Sequence, residues 1–74
     1  MKVRIRLDTA SEIANFVLAT NSVKEAVYVT DDGRLCIDGK SFLGLAHAKE
    51  FSVLYCECER DIYTKIKDFV VEED

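Results

Sequence analysis

The stretch "DGKSFLGLAHA", residues 38–48, concentrates the residue types of this chain that could do chemistry. It contains Gly39-Lys40-Ser41, the tripeptide that ends a Walker A phosphate loop, and His47, the only histidine. A Walker A loop places four residues between its glycines, because successive backbone N–H groups must surround the phosphates. Five residues separate Gly33 from Gly39, and their sequence, "RLCID", is typical of a strand. The spacing therefore argues against nucleotide binding.

The other reactive side chains do not form a recognisable catalytic or metal-binding motif. His47 has no Asp or Cys partner at a spacing typical of a catalytic or metal site, so we expect a surface or half-buried histidine. The alternative is a histidine that accepts a phosphoryl group. The three cysteines are an odd number, which is not a disulfide framework. Structural zinc needs four ligands, whereas Cys56 and Cys58 lie two residues apart on one strand. We predict that the cysteines are buried apolar side chains, with metal or redox work as the alternative, and that the protein is not an enzyme and has no cofactor.

The elements that would position these residues can be predicted from periodicity. Residues 2–7 alternate apolar with basic side chains, which predicts a strand with one buried and one hydrated face. Thr9 and Glu12 form a capping box for a first helix that ends near Asn21. Its apolar face is expected to contain Ile13, Phe16, Val17 and Thr20.

The second half of the chain predicts a hairpin, a short helix, a strand and a last helix. Asp32-Gly33 is a favoured hairpin turn between "EAVYVT" and "RLCID". Ser41 is the expected N-cap of "FLGLAHA", which Gly44 keeps short or weak. "FSVLYCECE" alternates as a strand, with Leu54, Cys56 and Cys58 on one face. Asp61 is expected to cap "IYTKIKDFVVEED", whose apolar stripe is Ile62, Ile66, Phe69 and Val70.

The resulting order is β-α-β-β-α-β-α, without a linker or repeat. It predicts an α+β fold in which three helices cover one face of a four-stranded antiparallel sheet. At 74 residues, one domain spanning 1–74 is the natural expectation.

Charge and hydropathy exclude several kinds of partner. The net charge is −4, whereas nucleic acids and anionic membranes attract a surplus of Lys and Arg. No apolar run approaches the roughly 20 residues that span a bilayer, and "MKVRIRLD" lacks the apolar stretch of a signal peptide, so we expect a cytoplasmic protein. The basic residues of the first strand are either neutralised by Glu57 and Glu59 or form a patch for an acidic partner.

The segment "FVLATNSVKEAVYVTDDGRLCIDGKSFLGL", residues 16–45, resembles the HPr family, the histidine phosphocarriers of the bacterial sugar phosphotransferase system. The resemblance rests on the helix end, the hairpin, the Lys-Ser pair and the apolar short helix, and the last strand and helix fall in register. It implies an HPr-like open-faced sandwich.

The resemblance fails at the family's active-site loop. The phosphate-accepting histidine of HPr lies in a Gly-Leu-His-Ala-Arg-Pro loop before the first helix, where this chain reads "DTASEIAN". Phosphohistidine chemistry needs an imidazole nucleophile, and cations at a free helix N-terminus steady the phosphate. Asp8 and Glu12 would repel a phosphate there, so no catalytic residue is carried over.

Ser41 does match the family's regulatory serine, which a dedicated kinase phosphorylates in many Gram-positive bacteria. Two function classes follow. The first is a non-catalytic regulatory or protein-interaction module that uses Ser41, with Lys40, Phe42, Leu43 and Leu45 as partner contacts. The second is a phosphocarrier with an unorthodox acceptor. Ser41 as a plain N-cap remains open, and the sequence indicates neither the identity of the protein partner nor the oligomeric state.

Overall fold

The computed structural model describes residues 1–31, 33, 35–48 and 53–72. These residues form four strands and three helices in the predicted order, and the α+β fold is confirmed as an architecture consistent with an HPr-like open-faced sandwich. The elements are β1 (Lys2–Ile5), α1 (Ala10–Asn21), β2 (Val27–Thr30), β3 (Cys36–Asp38), α2 (Phe42–Ala48), β4 (Leu54–Cys58), α3 (Tyr63–Ile66) and a 3₁₀ turn (Lys67–Phe69).

The sheet has the strand order β1-β4-β2-β3, and every neighbouring pair is antiparallel. One row of the register joins Val3, Cys56, Val29 and Ile37 across the four strands. Cys56 and Val29, on the two central strands, are fully buried in this row. The predicted inward face of β4 is confirmed, since Leu54, Cys56 and Cys58 are all buried.

Helix α1 packs on the core through the predicted stripe. Ile13, Phe16 and Thr20 are buried, and Val17 packs against them as a half-buried side chain. The predicted capping box is present: the Thr9 hydroxyl accepts the Glu12 N–H at 3.1 Å, and the Glu12 carboxylate accepts the Thr9 N–H at 3.1 Å. The helix ends at Asn21 as expected.

The hairpin between β2 and β3 is confirmed, but its connection is longer than a two-residue turn. β2 ends at Thr30 and β3 begins at Cys36. The Asp31 carboxylate accepts the N–H groups of Gly33 at 3.2 Å and Leu35 at 2.8 Å, and so organises the loop. Asp32 of the predicted turn lies outside the described residues.

The prediction of a long last helix is wrong. α3 covers only Tyr63–Ile66, and after the 3₁₀ turn Val70 is extended and forms a β-bridge with Ile5. The Arg6 N–H donates to Phe69 O at 2.9 Å and the Val71 N–H to Arg4 O at 3.0 Å. These bonds satisfy the outer edge of β1, which a continued helix would leave unpaired.

The predicted cap of that helix is displaced by one residue. The N-cap position is Ile62, which makes no side-chain cap bond. Asp61 lies just before it and accepts the Tyr63 N–H at 3.0 Å. Among the described residues, no helix is long and apolar enough to cross a membrane.

Candidate functional site

The turn from β3 into α2 is built on Asp38 and Gly39. The Gly39 N–H donates to Val27 O at 2.7 Å, and a Cβ on Gly39 would lie 2.7 Å from the Val27 Cγ1. Only glycine fits this approach without displacing β2. The Asp38 side chain accepts the Lys40 N–H at 2.9 Å, and its carbonyl accepts the Ser41 N–H at 3.1 Å.

Ser41 is the N-cap of α2, as predicted. Its Oγ accepts the Gly44 N–H at 3.2 Å, and its carbonyl accepts the Leu45 N–H at 3.0 Å. The side chain is half-buried. The hydroxyl thus satisfies one of the free N–H groups at the start of the helix.

Gly44 has a packing role that the sequence did not indicate. A Cβ at this position would lie 2.9 Å from the Ile37 Cγ2 and 3.4 Å from the Ser41 Oγ. Glycine therefore allows α2 to approach β3 closely.

The predicted partner contacts on α2 separate into exposed and buried residues. Phe42 is 43% exposed and Leu43 is 74% exposed. Leu45 was expected to be a third exposed contact, but it is 0% exposed and belongs to the core. Position 45 lies on the helix face that also buries Ala48, three residues later. We call Phe42 and Leu43 the docking pair.

Lys40 is not a free cation beside Ser41. Its ammonium group donates to the Val23 carbonyl, just beyond the end of α1. A cation near a helix C-terminus is favourable, because the helix dipole places negative charge there. The Lys40 charge therefore helps to hold the turn against α1.

The end of α1 holds the same turn through two side chains that sequence reasoning missed. Thr20 Oγ1 donates to Gly39 O at 2.8 Å, and Asn21 Nδ2 donates to Lys40 O at 3.2 Å. The available signal was a hydroxyl within an otherwise apolar stripe, since a buried polar group requires a partner.

The segment that aligns with the phosphate loop of HPr proteins leads into α1, where the capping box occupies the N–H groups of Thr9 and Glu12. The N–H groups of Asp8 and Thr9 both donate to the Glu12 carboxylate, at 3.0 and 3.1 Å. The Glu12 N–H is taken by Thr9. A phosphate here would meet a carboxylate already bound to these donors.

The remaining reactive residues lie elsewhere. His47 is exposed in the last turn of α2, as expected. The prediction of buried cysteines holds for Cys56 and Cys58 but is wrong for Cys36, which lies exposed on the edge strand β3. Burial, together with the charge of Cys58, raises the pKa of Cys56 to about 12. Its thiol is therefore protonated and a poor nucleophile at neutral pH.

The basic residues of β1 have different neighbours on the adjacent strand. Lys2 lies opposite Glu57, as predicted, and its ammonium lies 5.0 Å from the centroid of the Tyr55 ring. Glu59, the second expected partner, lies beyond the end of β4, and Arg4 is opposite Tyr55 instead.

An open concavity of ≈ 520 Å³ lies next to Glu57. It is lined by Met1, Glu25, Ala26, Tyr28, Glu57, Cys58 and Glu59.

No family model, curated protein or solved structure matches this chain. Within the described ranges, no three His, Cys, Asp or Glu residues are grouped closely enough to hold a metal ion.

Proposed function

We propose that this protein is an HPr-like regulatory module that binds a protein partner of the bacterial phosphotransferase system and does not carry phosphate. The docking pair would form the contact, and Ser41 would be its site of regulation. The observation that supports this most is the placement of two adjacent exposed apolar side chains directly after a serine at a helix start. Such side chains are large apolar surface that a partner can bury.

The capping box at the N-terminus of α1 favours the regulatory function over a phosphocarrier. A carrier needs free N–H donors, cations and an imidazole at one place. At this end of α1 the Thr9 N–H is bound to the Glu12 carboxylate, and the Glu12 N–H is bound to the Thr9 hydroxyl. His47 is on α2, without a hydrogen-bonded carboxylate among the described residues.

Phosphorylation of Ser41 would change the docking pair electrostatically. Transfer of the γ-phosphoryl group of ATP to Oγ releases the hydroxyl proton and adds about 1.5 to 2 negative charges next to Phe42. The phosphate oxygens would compete with the Val23 carbonyl for the Lys40 ammonium. A partner that covers the docking pair would thereby distinguish the two forms.

Two labelling reactions test the proposal. The protein is incubated with phosphoenolpyruvate and the first enzyme of the phosphotransferase system, and separately with ATP and the family's serine kinase, and is then weighed. We expect one phosphate, in the second reaction only, and none on Ser41→Ala. Phosphate on His47 would overturn the regulatory function, and an unlabelled protein in both reactions would remove Ser41 as its site of regulation.

The contribution of the docking pair is tested with the same kinase. We expect Leu43→Asp to slow the phosphorylation of Ser41 at least about tenfold, because it places a charge where the enzyme buries apolar surface. Leu18→Asp is the matched control, since Leu18 is equally exposed, at 73%, but lies on α1. Equal rates for both variants would contradict the role of the docking pair.

A further inference from the structure

We infer that Thr20 is a positioning residue, which fixes the docking pair and Ser41 in place from the neighbouring helix. The functional consequence of this inference rests on the proposed function, whereas its structural part does not. The observation is the hydrogen bond between a fully buried hydroxyl on α1 and the turn that begins α2.

The Thr20 hydroxyl has one hydrogen and two acceptors within reach. Gly39 O lies at 2.8 Å and Val17 O, within the same helix, at 3.2 Å. The shorter contact joins residues 19 positions apart and is buried. Valine would fill the same space in this apolar stripe, so the hydroxyl is useful for the hydrogen bond that it makes.

Two further contacts act at the same place and in both directions. Asn21 Nδ2 donates to Lys40 O at 3.2 Å, while the Lys40 ammonium donates back to Val23 O. The last two residues of α1 thus bind two consecutive carbonyls of the turn, and Val23, just beyond the helix, accepts the Lys40 ammonium. Of these contacts only the one from Thr20 is fully buried, and water competes least with it.

The hydrogen bond from Thr20 to Gly39 would matter for binding because of where Gly39 lies in the chain. Gly39 is separated from Ser41 by one residue, and the docking pair follows immediately. Ser41 caps α2, because its side chain and its carbonyl accept hydrogen bonds from the N–H groups of Gly44 and Leu45. A displacement of Gly39 therefore shifts the serine, its cap and both apolar side chains together.

The test compares amide hydrogen exchange in the wild type, Thr20→Val and Thr20→Ser. We expect Thr20→Val to accelerate exchange at Ser41, Gly44 and Leu45 at least about tenfold, since a buried carbonyl loses its donor. The amide of Cys56, in the central strand β4, should keep its rate. Thr20→Ser should restore protection at the start of α2, because it keeps the hydroxyl.

Thr30→Val is the matched control. Thr30 is the other buried polar side chain of the described residues, and its Oγ1 has no hydrogen-bond partner among them. The Thr30→Val variant should leave amide exchange in α2 unchanged. Unchanged protection of Ser41 and Gly44 in Thr20→Val, or uniform loss over the whole sheet, would overturn the inference.

A second readout connects position to function. In Thr20→Val the serine kinase should phosphorylate Ser41 at least about fivefold more slowly, while Thr30→Val retains the wild-type rate. Local loss of protection without a change in rate would refute the functional part and leave the structural tie established. If the wild type is not a substrate, the proposed function fails while the exchange result stands. Should Thr20→Val not fold, Asn21→Ala, which removes the exposed hydrogen bond from α1 to the same turn, must accelerate exchange at Ser41 for the inference to survive.

Discussion

At the scale of single residues, the three cysteines lie in two different surroundings. Cys36 is on an edge strand and exposed, whereas Cys56 and Cys58 face the core from the central strand β4. Their spacing of two residues explains why Cys56 and Cys58 share a face. This spacing does not predict whether Cys36, the third cysteine, is buried.

We expect one thiol to react rapidly with a disulfide reagent in the native protein and all three in denaturant. Cys36 is accessible, while Cys56 and Cys58 are buried in the core, and only an exposed thiol meets the reagent. Counting the released chromophore over time measures this, and Cys36→Ser should remove the fast phase. Two fast thiols in the wild type would show that the core face of β4 is open.

The raised pKa of Cys56 predicts a loss of stability at alkaline pH. In the folded protein the thiol holds its proton until about pH 12, whereas in the unfolded chain it loses it near 9.0. Between these values the unfolded state binds fewer protons, so the free energy of unfolding falls as pH rises. The contribution is complete below pH 9.0 and is lost progressively as the pH rises from 9.0 to about 12.

Denaturant titrations from pH 8 to 11 test this sign. Cys56→Ala is expected to be less stable than the wild type at pH 8, because it leaves a cavity, and to lose less stability on going to pH 11. Parallel curves for the two proteins would show that Cys56 does not titrate differently on unfolding.

At the scale of the elements, the packing of α2 on β3 depends on a missing side chain. Gly44 would ordinarily cost a helix about 1 kcal/mol relative to alanine. The close approach of the Ile37 methyl group makes the smaller residue preferable. The glycine that lowers the helix propensity of α2 is therefore also the residue that allows the helix to contact the sheet.

We predict that Gly44→Ala lowers the free energy of unfolding by about 1 kcal/mol, because overpacking outweighs the gain in helix propensity. Urea unfolding measures the change. Combining it with Ile37→Leu, which removes the branched methyl, should recover most of the loss. Stabilisation by Gly44→Ala alone would mean that α2 is free to move away from β3.

At the scale of the whole molecule, residues far apart in sequence close the fold. Phe69 follows α3 and lies edge-to-face on Phe16 of α1, with the ring centroids 5.3 Å apart. Its carbonyl accepts a hydrogen bond from Arg6, so one residue joins the last segment to α1 and to the end of β1. A chain of 74 residues has a small free energy of unfolding, so the contacts of this one residue contribute a large part of it.

We expect Phe69→Ala to lower the free energy of unfolding by about 2 to 3 kcal/mol, through lost burial and the lost aromatic pair. Chemical denaturation followed by circular dichroism measures it. Tyr63→Ala, an exposed aromatic on α3, is the control and should cost less than about 1 kcal/mol. Equal losses would show that Phe69 does not join these elements.

The sequence by itself determined the order of the elements, the capping box of α1, the N-cap at Ser41 and the inward faces of β1 and β4. Each of these depends on neighbours within about four residues, where periodicity and capping chemistry act. The tertiary structure alone decided the short α3, the burial of Leu45, the exposure of Cys36 and the tie from Thr20 to Gly39. These depend on which strand lies at an edge and on which groups meet across long separations. Local pattern cannot supply that information, because the competing partner lies elsewhere in the chain.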